Sequence, residues 1–268
     1  MHNILIILIF FSLSASAQER TLPGENAEPG AWKFGLRTDY AKGNYGTPDK
    51  FVDTFATLSG QYEWERVSLK ISMPYIWSRS DSLITIDPEE GGVTCDTNCP
   101  TINETEKISG RGNLSLSLSY SLPKEADGIE LTMTGKIRLG TADPDKGFGT
   151  GKTDYSLDFE FSRAFGDFTP FLGVGYRWRG KPYPESSLVD NPYAWAGLIY
   201  SINDNNDAEL FHSYRRPSSI NGTIAGRDIS LSLYHRLNKR IRFNASFGKG
   251  LSVNNPDWFG GLGVGVRY

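Results

Sequence analysis

From Ala31 to the C-terminus the chain repeats one pattern: roughly ten residues in which apolar and polar side chains alternate, a break, then another such run. A period of two belongs to the β-strand, whose successive side chains point to opposite faces, and helical periodicity never displaces it. In VSLKISMPYIW, Val67, Leu69, Ile71, Met73, Tyr75 and Trp77 fall on one face, with Ser68, Lys70 and Ser72 on the other. AWKFGLRTDY sets Trp32, Phe34, Leu36 and Tyr40 against Lys33, Arg37 and Asp39. GRGNLSLSLSYSL, GIELTMTGKIRLG, DYSLDFEF and DFTPFLGVGYRWRG repeat the alternation, and further segments lie near residues 192–202, 208–215, 229–237, 241–249 and 258–268. Residues 52–64 form the least regular segment, because Phe55 falls among the polar set. About twelve segments result, an even number, as single-chain bacterial barrels have.

The connections alternate in length. Tight polar links (Glu65-Arg66, PKEADG, Gly166-Asp167, NDNNDA, Asn238-Lys239-Arg240) follow the even segments. Longer ones follow the odd: AKGNYGTPDK, residues 78–109, GTADPDKGFGTGK, GKPYPESSLVD, PSSINGTIAG and GLSVNNPD. Short turns on one rim and long loops on the other are the habit of an outer-membrane barrel. A soluble antiparallel barrel or sandwich would show the same alternation with its apolar face turned inward. Strand length argues against it, because soluble strands run about five or six residues and tilted membrane strands about nine to eleven. So do the aromatics at the segment ends: Tyr40, Tyr75, Trp77, Tyr155, Tyr176, Trp178 and Tyr214 toward the long loops, Trp32, Trp64, Phe168 and Tyr268 toward the short turns. Amphipathic rings suit the two bilayer interfaces. The predicted fold is all-β: an antiparallel up-and-down transmembrane β-barrel of about twelve strands over residues 31–268.

The N-terminus reads as an export signal, MHNILIILIFFSLSASA, over residues 1–17, with residues 18–30 as a periplasmic lead-in. Its apolar run is too short to span a bilayer, and with mean hydropathy at −0.38 any later span must be built from strands. The chain ends on GLGVGVRY, a strand closed by an aromatic, similar to the signal read by barrel-assembly machinery. Location in the outer membrane of a Gram-negative bacterium follows, with membrane lipid and lipopolysaccharide as surroundings. A net charge of −3 without a basic run gives no sign of nucleic-acid binding. Cys95 and Cys99, in CDTNC, are too few for a four-ligand zinc site; in an oxidising compartment they are expected to form one local loop disulfide.

VSLKISMPYIW, GRGNLSLSLSY, LGTADPDKGFGTGKTDYSLDFEFSRAFGDFTPFLGVGYRW and FHSYRRPSS together resemble the family of outer-membrane proteins named after the meta-pathway of phenol degradation. In that family a glycine-rich loop with Gly-Thr-Gly runs into an aromatic strand, as Gly149-Thr150-Gly151 runs into Asp154-Tyr155 here. The resemblance implies a transporter-like barrel, often associated with hydrophobic or aromatic compounds.

GFGTGKT invites a nucleotide-binding reading, but Lys146 stands where a P-loop needs its first glycine, and a strand follows instead of a helix. The glycines are better read as letting an outer loop turn tightly into its strand, with Lys152 a loop or interfacial cation. For a hydrolase, His212 and Ser213 are adjacent and so point to opposite faces, as do His235 and Ser232. Asp143, Asp145 and Asp154 lack the spacing of a calcium loop and read as solvated loop carboxylates, as do Asp87, Glu89 and Glu90. No catalytic, metal or cofactor site is expected. If the apolar set faces lipid, then Lys33, Arg37, Lys70, Glu130, Lys136, Arg138, Asp158, Glu160, Arg177, Arg179, Arg215, Arg236, Arg242 and Arg267 line the lumen, either as a closed network of ion pairs or as a narrow path whose cationic surplus disfavours cations. The expected function is passive passage of small molecules through a narrow or gated channel, its selectivity shared between lumen charge and the Cys-bearing loop. The alternatives are a closed structural or adhesive barrel binding a partner through its loops and, less favoured, a lipid hydrolase.

Overall fold

The structure, a computed structural model, describes residues 30–45, 50–82, 85–87, 92–94, 101–122, 128–182, 186, 188–219 and 224–268, excepting the side chains of residues 80–106. The signal, the lead-in up to residue 29 and the Cys95–Cys99 disulfide lie outside the described residues.

The strands are β1 (Ala31–Gly43), β2 (Phe51–Trp64), β3 (Val67–Ser82), β4 (Thr85–Asp87), β5 (Gly92–Thr94), β6 (Thr101–Arg111), β7 (Leu114–Ser121), β8 (Ile129–Leu139), β9 (Asp154–Arg163), β10 (Phe168–Trp178), β11 (Asn191–Asn203), β12 (Asn206–Arg215), β13 (Gly226–Arg236), β14 (Ile241–Gly250) and β15 (Trp258–Arg267). Neighbours along the wall pair antiparallel, and β1 pairs with β15 from Lys33↔Arg267 to Lys42↔Trp258, which closes the sheet on itself. β6 and β7 are two halves of one wall strand, interrupted at Gly112-Asn113. Both pair with β3, β6 through Tyr75↔Arg111 and β7 through Ser72↔Ser115. Counted this way, the barrel has the twelve strands that the alternation predicts. β4 and β5 form a separate two-stranded ribbon.

Short turns and long loops segregate to opposite rims as expected. Glu65-Arg66 joins β2 to β3 with Trp64 paired to Val67, and Gly166 makes its turn at φ 60°. The connection predicted over residues 78–109 is shorter than expected. β3 continues to Ser82 and β6 starts at Thr101, so paired strand carries the wall past the aromatic belt and leaves residues 83–100 between them.

Burial is inverted relative to a soluble protein. Leu231 is 49% exposed between Ser230 at 5% and Ser232 at 3%. Leu58, Leu69, Leu118, Leu172, Val174, Leu210 and Leu262 are likewise exposed, whereas Asp39, Glu63, Thr134, Arg138, Glu209, Ser213 and Asp228 are buried. The apolar face therefore lies outside and the hydrophilic face inside, the arrangement of a transmembrane barrel. Outward aromatics gather at both rims: Trp32 packs on Tyr62 at 4.9 Å and Phe168 on Tyr200 at 4.8 Å near the short turns, and Tyr75 on Trp77 at 4.7 Å and Tyr176 on Trp178 at 5.0 Å near the long loops. Leu231→Arg, placed mid-strand on the outward face, is expected to cost about 2–4 kcal/mol in unfolding titrations of the protein folded into lipid vesicles. Unchanged stability there would contradict a lipid-facing belt.

Candidate functional site

The inner wall carries the chemistry. Every charged residue expected in the lumen lies on a strand's inner face, apart from Arg179, which follows β10 directly, and none is exposed. Lys33 pairs with Glu63 at 2.9 Å, and Gln61 donates to the same carboxylate oxygen at 2.9 Å. Arg37 reaches Asp39 at 2.8 Å and, across the β1–β15 seam, Asn244 and Ser246 at 2.7 Å each. Arg138 pairs with Asp154. Arg215 pairs with Asp228 at 2.7 Å, with Ser213 and Asn255 donating to the same carboxylate oxygen. Arg236 lies 4.0 Å from Asp207 and donates to the Asp204 carbonyl at 2.8 Å. The Arg179 side chain donates to Asn191 at 3.4 Å. Lys70, Glu130, Lys136, Arg242 and Arg267 are also engaged in interactions.

This network corrects the expected cationic surplus. Asp39, Asp53, Glu63, Asp154, Asp207, Glu209 and Asp228 are all buried on the inner side and offset the cations. Their parity in each strand could have revealed them, since each sits in phase with residues already assigned inward. Asp154 in particular is no solvated loop carboxylate. It is 6% exposed, opens β9, pairs with Arg138 and accepts the Gly180 amide at 2.8 Å. Asp143 instead caps a 3₁₀ turn at Pro144–Lys146, accepting the Asp145 amide at 3.1 Å. Glu89 and Glu90 lie outside the described residues, as does the Asp87 side chain.

Inward aromatics are the feature that sequence reasoning missed. The Tyr193 and Trp195 rings of β11 lie across Gly175 and Gly173 of β10, where a methyl group would collide with them. They reach two strands over, so that Tyr193 donates to Asp158 and Trp195 Nε1 donates to Glu160 at 2.6 Å. These two rings are stacked at 5.9 Å and 23°. Phe171 lies over Gly197 in the same way and stacks on Phe211 at 6.3 Å and 28°. Phe171, Ile199 and Tyr234 are buried, with Trp195 and Phe211 packed against them and Tyr234 donating to Glu209 at 2.9 Å. The glycines of FLGVGYRW and AWAGL thus serve as niches: large rings lie flat along the wall instead of projecting across it.

At the long-loop rim, Phe148 of GFGTGKT is 1% exposed and packs with Phe55, Ile76 and Ala142. The irregular Phe55 is thereby explained, because it faces inward to receive a loop. The loop is also tied by Asn113 Oδ1, which accepts the Ala142 amide at 3.0 Å, and by Lys146 Nζ, which donates to the Ser109 carbonyl at 3.1 Å. Gly147 and Gly151 adopt φ of 72° and 69°, as the turn reading requires, and Lys152 is exposed. Beside this loop, Asp53 is fully buried, with one oxygen accepting from Ser78 at 2.6 Å. Tyr45, in the neighbouring loop, has its phenol pushed well above the ordinary range by burial, reinforced by Asp53 and Asp257, and it remains a neutral hydroxyl at physiological pH.

The histidine–serine pairs are separated as expected. Ser213 is buried inside while His212 bonds the Asp228 carbonyl at 2.7 Å from the outward face; Ser232 is buried inside while His235 is exposed beside Asn206 at 2.9 Å.

No family model matches the chain, and no curated protein matches it in sequence. Solved barrels match it in fold. The NanC porin aligns with a TM-score of 0.57 and 12% identity over 87% of this chain and 98% of that one. The KdgM porin aligns with a TM-score of 0.53 and 8% identity over 87% and 98%. What is shared at these identities is the fold, a closed antiparallel β-barrel.

Two outcomes follow from this geometry. Asp154→Leu removes the carboxylate paired with the buried Arg138 guanidinium and is expected to cost about 3–5 kcal/mol, whereas Asp154→Leu combined with Arg138→Met recovers most of the loss in the same unfolding titration. Gly173→Val drives the Trp195 indole off the wall, which should break its bond to Glu160, shift tryptophan emission and destabilise the barrel by about 1–3 kcal/mol.

Proposed function

We propose that the protein is an outer-membrane channel of a Gram-negative bacterium, exported by its N-terminal leader and passing small, ring-bearing apolar molecules passively along the inner wall. The observation that carries this reading is the inverted wall, apolar outside and hydrophilic inside, together with aromatic rings held flat in glycine niches. Rings lying along the wall leave the axis less obstructed than rings projecting across it. Tyr193, Trp195 and Phe211 are half-buried, so part of each remains accessible to a solute. Near-balanced charge favours no strong preference for either ion sign. The resemblance to the meta-pathway family supports the same solute class. The terminal strand, ending at Tyr268, would be the segment read by barrel-assembly machinery during insertion.

A closed barrel that binds a partner through its outer loops is the second reading, favoured by the dense ion pairing inside and by the loop anchored through Phe148. Conductance separates the two. Purified protein in a planar bilayer should give discrete single-channel steps, and their complete absence would support the closed barrel. If the rings form the path, a phenolic solute should transiently block the current. Trp195→Ala with Phe211→Ala should weaken that block by about two- to tenfold while ion conductance persists. Hydrolysis of added phospholipid, abolished by changing His212 or His235, would instead revive an enzymatic reading.

A further inference from the structure

We propose that the outward face of the long-loop rim carries a binding site for the phosphate groups of lipid A, the glycolipid of the outer leaflet. The inference rests on the outer-membrane reading above. One row of cross-strand partners runs outward around this rim: Trp258 of β15 opposite Lys42 of β1, Lys42 opposite Val52 of β2, Val52 opposite Arg79 of β3, and Arg79 opposite Lys107 of β6. Lys249 of β14 extends it, with its ammonium 5.1 Å over the Trp258 ring. Arg111 adds a further cation, opposite Tyr75. Lys42, Arg79, Lys107, Arg111 and Lys249 are all exposed, and among the described residues no carboxylate pairs with any of them.

Their direction is fixed by strand alternation. Arg79 is two residues beyond the exposed Trp77 and four beyond the exposed Tyr75, so it shares their outward face about 7–13 Å nearer the loops. The aromatic pair marks the interface, which puts the cations at the level where lipid phosphates lie. Arg79 and Lys107 are like charges placed directly opposite each other, an arrangement that destabilises a sheet unless an anion sits between them. Lys42 stands two strands from Arg79, about 10 Å away, so one glycolipid carrying two phosphates could engage both ends of the row. Inner cations behave oppositely: Lys33, Arg37, Arg138 and Arg215 are each paired with a carboxylate, so the outward row is not a spillover of the lumen network. No basic run in the sequence announces it, because each cation comes from a different strand.

The test uses the full mature chain folded in detergent, with bisphosphorylated lipid A and its dephosphorylated form as probes and native mass spectrometry as the readout. The wild type should retain the phosphorylated form and bind the dephosphorylated form far more weakly. Lys42→Gln, Arg79→Gln and Lys107→Gln combined should lower affinity by about a hundredfold, while Lys239→Gln with Arg240→Gln on the opposite rim should leave it unchanged. Equal retention of both lipid forms, or unchanged affinity in the triple variant, overturns the proposal. Each variant's heat-resistant folded band in phosphatidylcholine vesicles reports barrel formation independently, so failure of the outer-membrane reading is seen there and not confused with loss of the lipid site. For the unmodified chain, binding should also weaken steeply as salt is raised, and salt-independent retention again counts against the site.

Discussion

In hydrocarbon no water is available to satisfy a backbone amide or carbonyl, so each must find its partner within the protein. A sheet meets that demand only by closing, and in this chain closure is made by β1 against β15, ten residue pairs from Lys33↔Arg267 to Lys42↔Trp258. Once the wall is closed, everything else follows from the pleat. One set of side chains must face lipid and the other must fill or line the inside. Alternation that would give a soluble barrel a core gives this one a greasy exterior.

The inside then has to accommodate charge at low cost. It does so by pairing: Lys33 with Glu63, Arg37 with Asp39, Arg138 with Asp154 and Arg215 with Asp228. It also has to accommodate bulk. Rings that would cross the lumen lie instead over glycines of the next strand, with their polar tips satisfied by Asp158 and Glu160 two strands away. Electrostatic pairing and glycine niches are two solutions to one problem, that of keeping large inward side chains against the wall. The outward rim follows the opposite rule, leaving cations unpaired among the described residues where an anionic surface is expected.

Much of this was legible from residue order. The period of two located most strands within a few residues of their ends, the extensions of β3 and β6 past the long-loop rim excepted; the alternation of connection lengths assigned the rims, and the phase of each strand sent Lys33, Arg138 and Arg177 to the same side as the serines. Phe55 appeared irregular, and the sequence offered no reason for it. Its reason lies in Phe148, far away along the chain, which needs an apolar receptor on the inner wall. Asp154 read as a solvated carboxylate together with Asp143 and Asp145, yet its partner Arg138 is set by the register of β8 against β9.

Local sequence therefore determined which faces are apolar, how many times the chain crosses and which rim each connection occupies, because these depend only on side-chain alternation and turn chemistry along the chain. Cross-strand register decided the rest: which acid meets which base, which ring rests on which glycine, and that Lys42, Arg79 and Lys107 come into one row. Register is a relation between distant segments, fixed only when the sheet closes, so no single segment could carry it.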